Sequence, residues 1–182
     1  MEEELTRRKM GQITKAVEDM NLHQEDLYER EAPKEEALQL VIFRLAQEWY
    51  GVEITKVKEV TKVGKITYLP SCPEYIAGII NLRGNILSVT DLKRILNLPH
   101  EELTEKTRII AVEFGTLETG LLVDEVIESI EVPLSKIEPP LITIPSEGAK
   151  YIEGQCTVDS KLIALVSAQK VLGREIDEES NR

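Results

Sequence analysis

Metal binding and acid–base or nucleophilic catalysis rest on a few side-chain types, and this chain offers few of them in workable arrangements. Its histidines are His23, in a charged N-terminal stretch, and His100, directly after Pro99. Neither has a cysteine, aspartate or serine neighbour at the spacing of a metal site or a nucleophile–base pair, so both are expected to be surface histidines. Cys72 and Cys156 form no C-x-x-C pair, so two reduced thiols are expected, with no zinc and no disulfide. There is no G-x-x-x-x-G-K and no G-x-G-x-x-G to cradle a phosphate. Acids are abundant, but most are solvated surface charges. No cofactor and no metal are expected. The sharper feature is Arg83-Gly84 between two apolar runs. A hairpin tip is the plain reading. The pointed one pairs Arg83 with Glu59, because a planar guanidinium holds a carboxylate with two bonds.

These residues need elements to position them. With 42% hydrophobic residues but 4% aromatic ones, the core must be filled by Val, Ile and Leu, which favours strands. Leu40–Leu45 and Trp49–Ile54 have strand character, followed by a short helical or irregular piece over Thr55–Glu59. Lys65–Leu69 is expected to be a strand closed by Pro70 and Pro73. Ile79–Leu82 and Asn85–Val89 form a hairpin in which Gly84 supplies positive φ. Asp91 caps a short helix over Leu92–Leu96. Arg108 opens a second pass: a strand to Phe114, a turn over 115–119, a strand over Gly120–Val123, and another over Ile127–Val132. A proline-punctuated stretch follows, from Pro133 to Pro145.

The second pass repeats the first. Tyr75–Leu96 aligns with Tyr151–Leu172 without a gap, at an offset of 76, with four identities in 22 positions (Tyr75/Tyr151, Ile76/Ile152, Gly78/Gly154 and Leu96/Leu172). The apolar register matches too, as in Ile86/Leu162 and Val89/Leu165. Val41–Val60 and Ile110–Val132 correspond more loosely. A unit of about 70 residues is too long for a solenoid repeat and fits a small barrel. Two such barrels packed side by side would leave a groove between them.

The ends differ from the middle. Residues 1–36 carry a net charge of −5 and 173–182 a net −2, out of −11 for the chain. An acidic chain is a poor partner for nucleic acid or an anionic membrane surface. Met10, Ile13, Val17 and Met20 fall on one helical face. That stripe suits docking on the domain, pairing with another helix, or a helix that frays. The expected organisation is an acidic, helical or flexible extension over 1–36, a domain over 37–173, and a flexible acidic tail over 174–182. No signal peptide is evident, and no apolar run approaches the ~18 residues of a membrane span. A cytoplasmic protein is expected.

The motifs carry a family likeness. Tyr50-Gly51-Val52-Glu53-Ile54-Thr55-Lys56-Val57-Lys58-Glu59-Val60 resembles the opening motif of the CheW domain. The run from Ile66 to Gly84, ending in Asn81-Leu82-Arg83-Gly84, is similar to its longest signature, and Asn85 to Leu92 continues it. Gly120-Leu121-Leu122-Val123-Asp124-Glu125-Val126 resembles the second-half motif. The likeness spans about 37–173. It implies a mainly β fold of two SH3-like five-stranded barrels with short helices. It also implies a non-catalytic scaffold that joins the cytoplasmic tip of a chemoreceptor to the regulatory domain of the histidine kinase CheA within receptor arrays. By the same resemblance Val57, Glu59 and Arg83 match positions tied to receptor binding or to a supporting salt bridge. Arg108 falls at a receptor-facing position where the family has apolar residues. The extension over 1–36 is longer than the usual family start.

Three other functions compete. A CheW paralogue serving a non-flagellar pathway, such as pilus-based motility, would share all these motifs. An enzyme using paired carboxylates would show turnover. An oligonucleotide-binding barrel would bind single strands in a salt-dependent way, against which the acidic charge and scarce aromatics weigh.

Overall fold

The structure, a computed structural model, describes residues 35–141 and 147–179. The helical stripe expected at Met10–Met20 lies outside the described residues, as do His23 and Pro145. Among the described residues, ten strands and two α-helices run in the order β1 (Ala37–Leu45), β2 (Glu48–Glu53), β3 (Val57–Lys62), β4 (Ile76–Leu82), β5 (Asn85–Asp91), α1 (Leu92–Ile95), β6 (Arg108–Phe114), β7 (Leu117–Val123), β8 (Glu125–Pro133), β9 (Ile152–Val158), β10 (Lys161–Val166) and α2 (Ala168–Glu179). The fold is mainly β, as expected. Thr55–Glu59 differs from expectation. Only Ile54–Lys56 makes a 3-10 turn, and Val57 and Glu59 lie on strand β3. Helix α2 runs through the boundary expected at residue 173.

The strands form two five-stranded sheets, β8-β1-β2-β10-β9 (barrel one) and β3-β6-β7-β5-β4 (barrel two). Each is closed by one further contact. The Thr67 and Ile79 backbones exchange hydrogen bonds of 2.8 and 2.9 Å, which tie the segment after β3 to β4. Glu138 and Gln155 do the same at 2.8 and 2.9 Å for β8 and β9. The strand expected over Lys65–Leu69 is reduced to this single bridge. The chain there needs only to cross β4, so one residue pairs and its neighbours stay out of the ladder.

The two units of the repeat do not each build a barrel, which corrects the sequence expectation. Barrel one takes β1 and β2 from the first half of the chain and β8, β9 and β10 from the second. Barrel two takes β3, β4 and β5 from the first half and β6 and β7 from the second. Each barrel has one antiparallel junction between halves, β1 with β8 or β3 with β6, and one parallel junction, β2 with β10 through Gly51 and Leu165 or β7 with β5 through Gly120 and Val89. These pairs correspond under the repeat. Hydrophobic periodicity reports which face of a strand is buried and is silent about which strand lies beside it.

The burial pattern explains the apolar runs. In β1, Leu40 and Ile42 point into the core of barrel one with Cys156, Ile163 and Leu165. Val41, Phe43 and Leu45 point the other way. In β6, Ile109 and Ala111 fill barrel two with Leu87 and Val89, while Ile110 and Val112 join the opposite set. That opposite set is a third core between the barrels, sealed by Leu92, Ile95, Val171 and Leu172 of the two helices. Strands buried on both faces lose alternation and become continuously apolar. Each fully buried Leu or Phe contributes about 1.5–3 kcal/mol, more than an exposed ion pair provides. Packing therefore holds the barrels.

The residues shared between repeat units sit where the architecture repeats. The backbone N–H groups of Asp91 and Ser167, at the starts of α1 and α2, donate to the carbonyls of Tyr75 and Tyr151 at 2.7 and 2.8 Å. The Arg174 guanidinium lies 4.4 Å from the Tyr75 ring centroid and donates to the Tyr151 hydroxyl at 2.9 Å, so one cation ties both units together. A Cβ on Gly78 would collide with the Thr67 carbonyl, and one on Gly154 would sit 3.1 Å from the Glu138 carbonyl oxygen. Both glycines stand where the closing segments cross.

Candidate functional site

Strand β3 and the β4–β5 hairpin bring two of the expected residues together. Arg83 and Gly84 both have positive φ, 51° and 90°, and link Leu82 to its partner Asn85. This two-residue turn suits the twist of the strands it joins. Asn81 Oδ1 accepts from the Gly84 N–H at 2.8 Å and fixes the tip. From there Arg83 reaches Glu59 on β3, with its Nη2 2.7 Å from Glu59 Oε2. Arg83 is 79% exposed and Glu59 26%. An exposed pair of this kind adds about 0–1 kcal/mol to stability. What it provides is a guanidinium held at one place on a rigid surface, with N–H groups left over for a partner.

The other two residues are placed differently. Val57 lies two positions before Glu59 on β3. It is half-buried and packs on the core between the barrels, so an aspartate there would disturb packing as well as surface. Arg108 begins β6 opposite Lys62, the last residue of β3. Its Nη1 donates to the carbonyls of Glu105 and Thr107 at 2.7 and 2.8 Å. Arg108 thus braces its own loop and stands at the opposite end of β3 from Val57.

The repeat gives this site a counterpart on barrel one. Val57 and Glu59 flank an irregularity in the pairing of β3 with β6. Val126 and Glu128 flank the same irregularity in the pairing of β8 with β1. The β9–β10 turn has positive φ at Asp159 and Ser160, 48° and 63°. Asp159 therefore stands where barrel two has Arg83. The backbone is duplicated and the charge is reversed.

A separate groove of about 490 Å³ lies between barrel one and the end of α1. It is lined by Trp49, Leu96, Leu98, Leu162 and Ala164, with Gln47 and Glu48 among its polar residues. None of the four expected site residues lines it. Sequence reasoning also missed the ion pair beneath α1. Lys93 is buried, its Nζ is 2.5 Å from Asp124 Oδ1, and Asp124 Oδ2 accepts from the Ala46 N–H at 2.7 Å. This carboxylate joins the β1–β2 turn of barrel one to the helix beside barrel two. Asp124 lies in the quoted second-half motif, but no spacing rule signals its partner.

Among the described residues, no three His, Cys, Asp or Glu side chains gather closely enough to hold a metal ion. The exposed His100 has its Nδ1 3.5 Å from Oδ2 of the buried Asp91. Cys72 and Cys156 are free thiols, and burial pushes the Cys156 thiol above its usual pKa. Among the described residues, no helix is long and apolar enough to cross a membrane.

Comparison with known proteins places the chain. The family model of the CheW-like domain matches residues 39–175. Chemotaxis protein CheW of Bacillus subtilis is 35% identical over 136 residues, covering 75% of this chain and 87% of that protein. Protein FrzA of Myxococcus xanthus is 30% identical over 132 residues, covering 71% and 82%. The crystal structure of scaffolding protein TtCheW from Thermoanaerobacter tengcongensis superposes with a TM-score of 0.68 at 39% identity, covering 72% of this chain and 90% of that one. With the family model spanning most of the chain and both barrels matched in a solved relative, this protein belongs to the CheW-like domain family.

Proposed function

We propose that the protein is a non-catalytic scaffold of chemotaxis signal transduction that couples chemoreceptor signalling tips to the histidine kinase CheA in the cytoplasm. The observation that carries this reading is the Arg83–Glu59 pair, fixed between a strand and a rigid hairpin on the surface of a chain of this family. Val57, Glu59, Arg83 and Arg108 form the proposed receptor-binding set, with Arg83 the residue most available to a partner. Coupling needs two protein surfaces at once and no tuned acid or base. Contacts that are weak singly gain strength when several are made together in an array.

The test is binding of the purified chain to a receptor signalling tip and to the kinase regulatory domain, separately and together. Both should bind, at distinct places. Arg83→Ala should lower receptor affinity by about 2 kcal/mol, roughly 30-fold, with unchanged kinase binding and an unchanged unfolding midpoint. Full receptor affinity in a folded Arg83→Ala protein would remove the site assignment. Failure of both partners to bind would remove the chemotaxis role. The likeness to FrzA supports a second reading, a paralogue serving a non-flagellar pathway. Receptors of such a pathway should then bind where flagellar ones do not.

A further inference from the structure

The chain consists of two halves, β1 to α1 and β6 to α2, and neither contains a barrel. Among the described residues, each half pairs its own strands only as two hairpins, β1–β2 with β4–β5 in the first and β6–β7 with β9–β10 in the second, plus one closing bridge, Thr67–Ile79 or Glu138–Gln155. Every ladder between strands of different hairpins, and every ladder of β3 or β8, crosses between halves: β1 with β8, β2 with β10, β3 with β6, and β5 with β7. Strands β3 and β8 find their ladder partners only in the opposite half. The core between the barrels draws on both halves as well. Isolated hairpins are marginal in water at best, so each half needs the other to fold.

One connection, residues 97–107, joins the halves. From Asn97 to Lys106 only Leu98 is half-buried and the rest is exposed. It contributes no strand to either sheet. Apart from Leu98, which packs on the core between the barrels, the connection leaves the fit of the halves to the strand ladders outside it.

We propose that the two halves complement one another in trans, so that two copies of this chain form a closed dimer by exchanging halves through the 97–107 connection. The partner is a second copy of the same chain, and the interface is the set of four cross-half pairings already present in the monomer. Exchange remakes each of those pairings between chains, and the symmetric dimer leaves no half unmatched, so it closes at two. The balance between forms is set by protein concentration and by whether the connection can fold back on its own chain. The dimer carries two Arg83–Glu59 pairs and is a bivalent form of the same surface.

The experiment deletes residues 98–106 from the full chain. Asn97 then precedes Thr107 directly, and their Cα atoms are held about 3.8 Å apart. The expected product is a folded dimer by light scattering, with twice the mass of the parent and its strand signal in circular dichroism. A folded monomer overturns the exchange. If the deletion protein fails to fold, the chain is instead divided between Glu101 and Glu102 and its two parts are co-expressed with different tags. Co-purification in equal amounts with one cooperative melt supports complementation. Parts that do not associate, or a part that folds alone, overturn it.

Discussion

Replacing Gly78 by alanine should open barrel two. Its φ is +145°, a region that side-chain-bearing residues rarely adopt. A Cβ there would collide with the Thr67 carbonyl oxygen, 2.7 Å from Ile66 Cγ2 and 3.0 Å from the Thr67 carbonyl carbon. Ile66 can rotate away. The Thr67 carbonyl cannot, because it accepts the 2.9 Å hydrogen bond from Ile79 that closes the barrel, beside the 2.8 Å bond in the other direction. Backbone strain at such a position costs about 1–3 kcal/mol, and losing the two closing bonds costs about 1 kcal/mol each. The total is about 3–5 kcal/mol, against a stability of about 5–15 kcal/mol for a domain. Gly154 is the control. It has no positive φ, and its Cβ would meet the Glu138 carbonyl oxygen at 3.1 Å and Ile137 Cγ2 at 3.2 Å, so Gly154→Ala should cost only about 1–2 kcal/mol. Equilibrium urea unfolding followed by circular dichroism measures both. A loss below about 1 kcal/mol for Gly78→Ala, or a larger loss at Gly154, would refute the closure argument.

Removing one partner of the buried pair, as in Lys93→Met, should cost about 3–5 kcal/mol because Asp124 is left unpaired. Lys93→Met combined with Asp124→Leu should cost less than the two single changes added, as a double-mutant cycle in urea would show. Tyr50 predicts alkaline instability. Burial and the 2.6 Å hydrogen bond to Glu48 raise its pKa above the ordinary value. Above about pH 10 the unfolded chain loses this proton while the folded one keeps it, so stability falls as pH rises. The urea midpoint should therefore drop between about pH 9 and 11 more steeply in the parent than in Tyr50→Phe. On barrel one, Asp159→Arg should place a cation opposite Glu128 with a stability change under about 1 kcal/mol. Receptor-tip stoichiometry, measured by calorimetry, should rise from one towards two. An unchanged stoichiometry would show that contacts beyond the ion pair set the site.

The class of fold and the tip of the site were legible in the sequence. Apolar runs at β1 and β6, the Asp91 cap and the turn at Arg83-Gly84 are local features, and local spacing reveals them. Arg83 could be matched with Glu59 from the sequence because Val57-Lys58-Glu59 falls near an edge of the same unit as the hairpin and a guanidinium suits a carboxylate. The interleaving of halves was not legible, since its junctions, such as Gly51 beside Leu165 and Val89 beside Gly120, pair strands that are not neighbours in the sequence and that no local spacing links. Lys65–Leu69 carried a strand pattern, yet only Thr67 meets β4. A lysine in a short helix has the pattern of a surface residue, and only the fold shows Lys93 buried over Asp124. Even so, the glycines that close the barrels were visible as Gly78/Gly154, conspicuous because most other positions of the repeat had diverged.

That divergence bears on how a duplicated fold can act as a scaffold. Two barrels of identical topology offer two similar surfaces, and a partner that recognised the common backbone would bind twice. Val57 and Val126 occupy matching positions, as do Glu59 and Glu128, with the same irregularity in the same place. The turns match as well, each with two residues at positive φ. One difference lies at the exposed turn tip, where Arg83 balances Glu59 on barrel two, while on barrel one the matching tip residue is Asp159 and the matching strand residue is Glu128. Exposed tip residues contribute little to folding, so this position can change sign without disturbing either core. If a partner docks onto the Arg83–Glu59 pair as proposed, the reversed tip charge would penalise it on barrel one, as like charges exclude wrong pairings at other interfaces. The turn tip is thus one of the positions at which the two faces of the duplicated fold diverge, and the proposed coupling role calls for two different faces.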